Sequence, residues 1–318
     1  MTSHRGRGDA IPEGMTTYHP IDDADAVAVS ELRRAFAKTT KPQFAPENRA
    51  TYDEVTRRTP VPAGVNLEEG VVGGVWGYWC RPQSASGSSA ILFLHGGGYV
   101  MGSPDAYRGL AGQIVARSQM AAFIPDYRLA PEHPFPAAIE DAVAVYGGIS
   151  KLGFGSIGIS GDSSGGGLAL ALLTYLTFTG DNGDISPSVA AVFSPMTDLA
   201  LTGASLTNKS DADPILSHDS LSKAAAAYLA GHSARDPLVS PLYGVRSGLP
   251  PIRIDVGEDE VLLDDSLRYL DRAQQNGVEC ALNVWLGLPH GFASNVGVFR
   301  AADAALDGAA AFLAEHLR

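Results

Sequence analysis

Between residues 90 and 316, short and fully apolar runs alternate with helical patterns, and this alternation restricts the fold more than any other feature of the chain. Strands buried on both faces have such continuous apolar runs, and helices used as crossovers between them imply parallel order. The sequence therefore predicts an α/β fold with a mostly parallel, doubly wound sheet. The predicted strands cover 90–94, 121–125, 157–160, 189–193, 252–256 and 281–285, and the predicted helices cover 106–119, 136–150, 165–178, 217–230, 264–276 and 300–316.

Three segments fall outside this alternation. Residues 1 to about 50 are polar and interrupted by proline, with one helical pattern over 24–37, and they predict an N-terminal helical arm. Residues 70–82 have the aromatic and β-branched content of paired strands. The interval 197–248 contains a helical pattern but no strand, which indicates an excursion over the sheet.

Composition limits the partners and the class of protein. With 45% apolar and 18% charged residues, the chain has enough apolar surface to bury a core. The net charge of −12 and the lack of a basic run make nucleic acid a poor partner. No apolar stretch near the N-terminus resembles a signal peptide, and no apolar run is long enough for a membrane span. We therefore expect a cytoplasmic protein with neither a nucleic-acid nor a membrane partner, and a homodimer stays open.

The two cysteines, Cys80 and Cys280, lie far apart in the sequence. Free cysteine is among the most buried residue types in proteins. The spacing matches neither a metal-binding motif nor a short disulfide framework. We expect two separate buried thiols.

The motif with the clearest chemical meaning is Gly161-Asp162-Ser163-Ser164-Gly165, which fits G-x-S-x-G. It follows a predicted strand and precedes a predicted helix, as a nucleophile elbow does. A phosphate-binding loop would need a lysine after the glycines, and a dinucleotide fingerprint would need G-x-G-x-x-G; the chain has neither pattern here. The motif predicts a nucleophilic Ser163, with an ordinary serine in a glycine-rich turn as the other interpretation.

A second glycine-rich segment, Gly96-Gly97-Gly98, comes directly after the predicted strand 90–94. Glycines leave their backbone N–H groups unshielded, and adjacent donors suit a developing oxyanion. One crossover and a further helix separate this segment from Ser163, so both can lie at the same edge of a parallel sheet, where open α/β folds place their sites.

Of the eight histidines, His290 is the predicted general base, because it follows the last predicted strand in a Pro-His-Gly loop. His95 precedes the three glycines and is expected to anchor that loop by a hydrogen bond. The other histidines are His4, His19, His133, His218, His232 and His316, which lie in the arm, in a proline-rich corner, beside a helix or in the last helix.

The carboxylate that orients this histidine is expected in the loop after strand 252–256. Spacing alone does not choose among its acidic residues, although a pair at the start of the next helix also has a structural explanation in the helix dipole. The order Ser, acid, His along the chain is that of the α/β hydrolases. The candidate acids are Glu258, Asp259, Glu260, Asp264 and Asp265.

Together these motifs resemble the hormone-sensitive-lipase-like family of α/β hydrolases, chiefly its bacterial carboxylesterases. The resemblance covers about residues 75–316, and the segments 126–138 and 236–242 agree with it as well. It implies an α/β-hydrolase fold in a single domain over 1–318. It also implies a helical cap made by residues 1–50 and 197–235.

The resemblance implies specific site residues too. Ser163 would be the nucleophile and His290 the base, with the backbone amides of Gly97, Gly98 and Ser164 as the oxyanion hole. Relatives commonly have Asp-Pro-Leu-x-Asp in the acid loop, whereas this chain has Glu260-Val261-Leu262-Leu263-Asp264. The alignment gives Glu260 the role of the triad acid and leaves Asp259 as its competitor.

The implied reaction is hydrolysis of short- to medium-chain carboxylic esters through an acyl-enzyme on Ser163. No cofactor and no metal are implied, and the partner is a small-molecule ester. Tyr99, Met101 and Phe292 are candidates for the pocket wall, with ordinary packing as the other interpretation. A lactone, amide or carbamate hydrolase remains an alternative, and a non-catalytic receptor on this scaffold is a more distant one because His290 is present.

Overall fold

A nine-stranded sheet in the order β1-β9-β8-β7-β6-β4-β5-β3-β2 organises the computed structural model, which describes residues 15–37, 41–84, 87–180, 183 and 185–317. Strand β3 runs antiparallel to both of its neighbours, and the other pairs are parallel. In the described residues the strands are β1 Thr16–His19, β2 Val65–Val72, β3 Val75–Pro82, β4 Ser89–Leu94, β5 Ala121–Pro125, β6 Ser156–Asp162, β7 Pro187–Phe193, β8 Ile252–Gly257 and β9 Cys280–Trp285.

Helices cover both faces of the sheet. Helices α3 and α9 pack against one face, and α4, α5 and α8 pack against the other, so each face has its own apolar core. This arrangement confirms the predicted doubly wound α/β fold. The helices in the described residues are α1 Asp23–Phe36, α2 Arg49–Thr56, α3 Pro104–Ser118, α4 Ala137–Ser150, α5 Ser164–Thr179, α6 Ser205–Asn208, α7 His218–Leu229, α8 Leu263–Gln275 and α9 Arg300–His316.

Each apolar run predicted as a strand between residues 90 and 285 is a strand, and α1 matches the helix predicted over 24–37. The N-terminal part differs in three ways. Residues Thr16–His19 form strand β1, α2 was not predicted, and the hairpin begins at β2, before residue 70. Strand β1 is short and polar, and it forms because β9 offers it a free edge: the amides of Leu282 and Leu286 donate to the carbonyls of Met15 and His19 over 3.0 and 2.9 Å.

The parallel strands bring the ends of β4, β6, β8 and β9 to one edge of the sheet, where the loops with chemical motifs begin. Between β7 and β8 the chain leaves the sheet and forms α6 and α7, as the excursion predicted over 197–248 requires. The described residues 15–37 and 41–59 form what we call the N-terminal segment. Its Lys41 donates to the carbonyls of Ser210 and Leu216 over 2.6 and 2.9 Å, which joins the segment to the excursion.

Cys80 and Cys280 are both free and fully buried, as predicted. They lie on β3 and β9, on opposite sides of the sheet's centre. Burial raises the pKa of each thiol to about 12, so neither forms a thiolate near neutral pH. Within the described residues, none of the helices combines the length and the apolar character needed to cross a membrane.

Candidate active site

Ser163 lies in a sharp turn between β6 and α5. Its backbone has φ +56° and ψ −122°, a conformation that non-glycine residues rarely adopt and that is common at functional sites. The flanking glycines permit the turn: a Cβ at Gly161 would lie 2.3 Å from the carbonyl oxygen of Gly165, and one at Gly165 would lie 2.1 Å from that of Leu94. The predicted elbow is therefore enforced by close backbone packing.

The glycine segment after β4 passes beside this turn. Gly97 and Gly98 have φ of +122° and +65°, which favours glycine at both positions. A Cβ at Gly98 would lie 2.9 Å from the ring of Phe44 in the N-terminal segment, and one at Gly97 would lie 2.2 Å from the carbonyl of Met101. Among the described residues no acceptor takes a hydrogen bond from the amide of Gly97, Gly98 or Ser164, so these donors are free.

His95 holds this loop, as expected from its position. Its Nδ1 hydrogen-bonds the carbonyl of Gly96 over 2.9 Å, and its ring stacks on Tyr127 with the centroids 4.1 Å apart. Burial lowers the pKa of His95 to about 4, so the ring is neutral near pH 7 and donates from Nδ1. Tyr127 also donates its hydroxyl to the carbonyl of His95 over 2.7 Å, which fixes the strand end.

His290 lies in the loop after β9, within reach of Ser163. Its Nε2 is 3.1 Å from Ser163 Oγ, and its Nδ1 is 3.2 Å from Glu260 Oε1. All three side chains are largely buried, with exposed fractions of 9% for His290, 7% for Ser163 and 0% for Glu260. The structure thus brings serine, imidazole and carboxylate into one hydrogen-bonded series.

Two further donors fix the second oxygen of Glu260. Ser194 donates its hydroxyl to Oε2 over 2.7 Å, and the amide of Gly257 donates to the same oxygen over 3.1 Å. Ser194 follows β7 and has φ +43°, and its own amide donates to the carbonyl of Asp255 in β8. A fully buried carboxylate is costly unless it is paired, and these contacts supply that pairing.

The other acids of this loop point elsewhere. Asp259 pairs with Arg33 of α1 and with Lys209, whose Nζ is 3.2 Å from Oδ1. Glu258 accepts a hydrogen bond from the amide of Gly287 over 3.0 Å. Asp264 and Asp265 lie in the first turn of α8, where they accept from the backbone amides of residues 197, 198 and 205. Only Glu260 of the candidate acids is hydrogen-bonded to His290 within the described residues.

Buried carboxylates control the charge on His290. Burial alone would lower the pKa of this histidine, but the negative charge and hydrogen bond of Glu260, together with the charges of Asp162 and Asp213, raise it to about 9. Asp213 lies in the excursion, and its Oδ2 accepts from the amide of Val261 over 3.0 Å, so it adjoins the acid loop. An imidazole in this setting takes up a proton readily.

A cavity of about 510 Å³ opens onto Ser163 and His290. The N-terminal segment supplies much of its wall, and the excursion and the loop after His290 supply most of the rest. Tyr99, Met101 and Phe292 are buried in the core and are not among its lining residues, so ordinary packing explains them. The lining side chains of the N-terminal segment are Leu32, Phe36, Phe44, Tyr52, Val55, Thr56, Arg58 and Thr59, and those of the excursion are Ile215 and Leu216.

Several contributors to this site were not predicted from the sequence. Arg49 of α2 donates to the carbonyls of Val100 and Ala130 over 2.8 and 3.0 Å and pairs with Glu132, which fastens the N-terminal segment to the glycine loop. Ser194 and Asp213 lie far from the motifs in sequence, and nothing in their local pattern distinguishes them. Within the described residues no group of His, Cys, Asp and Glu side chains is arranged to hold a metal ion.

The chain is similar to known proteins in sequence and in fold. A profile of the α/β-hydrolase fold matches residues 91–294. An acetyl-hydrolase from Streptomyces hygroscopicus is 40% identical over 214 residues, which make up 67% of this chain and 70% of that protein. The crystal structure of the esterase EstE5 shares 36% identity with a TM-score of 0.85, over 93% of this chain and 99% of that one. A hormone-sensitive lipase from a metagenome library shares 34% identity with a TM-score of 0.85, over 94% and 100% of the two chains.

Proposed function

The chain belongs to the hormone-sensitive-lipase-like family of α/β hydrolases and is a carboxylic ester hydrolase, and we propose that Ser163, His290 and Glu260 are its catalytic triad. The hydrogen-bonded series from Ser163 Oγ through His290 to Glu260 is the observation that carries this proposal. The order of the three residues along the chain is the order found in α/β hydrolases.

In the acylation step, Ser163 Oγ attacks the ester carbonyl while His290 Nε2 takes the hydroxyl proton. The carbonyl oxygen becomes an oxyanion, which we assign to the free amides of Gly97, Gly98 and Ser164. The tetrahedral intermediate then collapses, the bond to the alcohol oxygen breaks, and His290 gives its proton to that oxygen. The alcohol leaves, and the acyl group stays on Ser163.

In the deacylation step, water takes the place of the alcohol. His290 removes a proton from water as its oxygen attacks the acyl carbonyl, and the same amides hold the second oxyanion. Collapse breaks the bond to Ser163 Oγ, which regains its proton from His290, and the carboxylic acid is released. Glu260 keeps the imidazole in the tautomer with Nδ1 protonated and stabilises the imidazolium formed in each step.

Ser194 is proposed to position Glu260, and its replacement tests that role. Ser194→Ala removes a 2.7 Å hydrogen bond to the carboxylate, and we expect kcat to fall about tenfold, since a hydrogen bond to a charged group contributes about 1.5–3 kcal/mol. Ser205→Ala is the matched control, because its buried hydroxyl donates to the carbonyl of Val261 in the same loop without touching Glu260. Steady-state kinetics of both variants against one p-nitrophenyl ester decide the point, and equal losses would contradict the assignment.

A cap over the site is the second part of the proposal. The described parts of residues 1–50 and 197–235 supply Leu32, Phe36, Phe44, Ile215 and Leu216 to the cavity wall, and residues 52–59, beyond the predicted bounds, continue it. Lys41 and Arg33 join the two segments to each other and to the acid loop. Residues 1–14 and 38–40 of the predicted cap lie outside the described residues. We propose that this cap excludes water and forms the substrate pocket within a single hydrolase domain.

The substrate is proposed to be an uncharged ester with a short or medium acyl chain. The cavity volume of about 510 Å³ and its apolar side chains suit such molecules. For p-nitrophenyl esters we expect kcat/KM to be highest between acetyl and octanoyl and to fall for dodecanoyl and longer chains. Each buried methylene adds about 0.8 kcal/mol of binding only while the cavity has room for it.

The same series tests the pocket assignment. Ile215→Trp, which fills the cavity, is expected to depress octanoyl turnover more than acetyl turnover, whereas Leu152→Trp, at an exposed surface position outside the cavity, is expected to leave the profile unchanged. A flat profile in all three proteins would contradict the pocket. Lactones, amides and carbamates assayed in parallel decide the alternative activities, since the triad chemistry is shared among them.

A non-catalytic receptor is disfavoured because His290 contacts Ser163 directly. The homodimer and the cytoplasmic location stay predictions from the sequence.

A further inference from the structure

A line of hydroxyl groups connects the cavity wall with the carboxylate that precedes the nucleophile. Tyr52 on α2 lines the cavity, and its hydroxyl is 2.8 Å from that of Tyr107 on α3. The Tyr107 hydroxyl is 3.0 Å from Oδ2 of Asp162, the last residue of β6. The mechanism above assigns no role to any of these three residues.

The direction of these hydrogen bonds follows from chemistry. An ionised carboxylate only accepts, so the Tyr107 hydroxyl donates the hydrogen bond to Asp162 Oδ2. The Tyr107 oxygen is then the acceptor for Tyr52, which donates in turn. Hydrogen bonds arranged in series polarise one another, so both tyrosines stabilise negative charge on Asp162.

Asp162 is nevertheless poorly compensated. Its exposed fraction is 4%, and its Oδ1 is buried without a hydrogen-bond partner among the described residues. Burial raises the pKa of Asp162 to about 6, against the lowering effects of His290 and of the Tyr107 hydrogen bond. Above that pH the carboxylate carries a negative charge, and among the described residues only its Oδ2 accepts a hydrogen bond.

The position of this charge is what gives it a function. Asp162 is bonded to Ser163, lines the same cavity as His290, and lies under the glycine loop, where a Cβ on Gly96 would be 2.9 Å from its Oδ2. Besides His290, the titratable groups that act on Asp162 are Tyr107, with Tyr52 behind it, and Glu260. His290 itself faces Glu260, Asp162 and Asp213.

We propose that Asp162, held by the hydroxyls of Tyr107 and Tyr52, is a positioning residue that stabilises the imidazolium of His290 in each acyl-transfer step. The inference rests on the role proposed for His290 as the general base. Since Tyr52 comes from the N-terminal segment, that segment supports the chemistry as well as forming the cavity wall.

The first test is the pH profile of kcat/KM for p-nitrophenyl butyrate. In Asp162→Asn the negative neighbour is lost, so the pKa of His290 falls and the acidic limb moves to lower pH by about one unit. The same loss destabilises the imidazolium in the transition state, and the plateau of kcat is therefore expected to fall about tenfold. A purely structural role of Asp162 would lower the plateau and leave the limb in place.

The second test uses the tyrosines. Tyr107→Phe removes the donor to Oδ2, so the pKa of Asp162 rises and its charge is lost at low pH but kept at high pH. We therefore expect the acidic limb of Tyr107→Phe to lie between those of wild type and Asp162→Asn, with a plateau at high pH close to that of wild type. Tyr52→Phe is expected to shift the acidic limb in the same direction by a smaller amount. When either tyrosine substitution is combined with Asp162→Asn, the limb should not move further than in Asp162→Asn alone.

Tyr243→Phe is the matched control, because the Tyr243 hydroxyl also donates to a buried carboxylate, that of Asp198, over 3.0 Å. Asp198 is not among the groups that act on the catalytic histidine. The acidic limb of Tyr243→Phe should coincide with that of wild type. An unshifted limb in Asp162→Asn, a pH-independent loss in Tyr107→Phe, or an equal shift in Tyr243→Phe overturns the proposal. The exposed edge of Tyr52 at the cavity makes Tyr52→Phe usable even if Asp162→Asn does not fold. These outcomes leave the triad itself standing, whereas full turnover in Ser163→Ala would remove the triad and this inference together.

Discussion

Replacing Ser163 with alanine is expected to lower kcat for ester hydrolysis by about 10⁴-fold or more, because no hydroxyl remains to attack the ester carbonyl and carry the acyl group. The change keeps the Cβ in the strained turn, where φ is +56°, so the backbone is not altered. Binding and the oxyanion donors remain, and they leave a small residual rate above that of water. Turnover of p-nitrophenyl butyrate, with thermal unfolding as a check of the fold, measures this loss.

Ser160→Ala is the control for that variant. Ser160 lies on the same strand, is fully buried, and donates its hydroxyl to the carbonyl of Ala191 over 2.6 Å. We expect it to lose stability but to keep kcat near that of wild type. Turnover of Ser163→Ala within tenfold of wild type would contradict the assignment of the nucleophile.

Exchanging Glu260 for glutamine is expected to lower kcat by about 10³–10⁴-fold, since an amide no longer holds the imidazole in its productive tautomer or stabilises the imidazolium. Asp259→Asn, one residue earlier, is expected to stay within about tenfold of wild type. Asp259 pairs with Arg33 and Lys209 at a partly exposed position, where ion pairs contribute about 0–1 kcal/mol.

The pair of variants distinguishes the two acids because the substitutions are chemically equivalent. Loss of activity in Asp259→Asn with retention in Glu260→Gln would contradict the assignment of Glu260 and identify Asp259 as the triad acid. The pH profile adds a second criterion: without the Glu260 charge, the pKa of His290 falls from about 9, and the acidic limb of kcat/KM moves to lower pH.

Much of the sheet could be predicted because its strands are buried on both faces and therefore have continuous apolar sequences. Strand β1 could not, because its residues Thr16–His19 are polar and form a strand only against the edge of β9. The stacking of His19 on Trp285, with centroids 3.9 Å apart, is likewise a contact between distant parts of the chain.

The site residues also divide into those that a local sequence pattern indicates and those that depend on tertiary contacts. The positions of Ser163 and His290 could be anticipated, because their motifs are local and the sheet edge brings their loops together. Spacing in the acid loop could not choose between Glu260 and Asp259, since the choice depends on Arg33 and Lys209, which reach the loop from other segments. Ser194, Asp213 and the Tyr52–Tyr107 pair act through tertiary contacts that no local pattern encodes.

The most direct test of the central claim is to react the protein with a fluorophosphonate and to locate the adduct by mass spectrometry of its peptides. This reagent modifies a serine only when a neighbouring base activates it, so the result reports the site and its chemistry together. We predict one adduct, on Ser163, formed in parallel with loss of ester turnover and absent in His290→Ala. An adduct on another serine, or full turnover with Ser163 modified, would contradict the account.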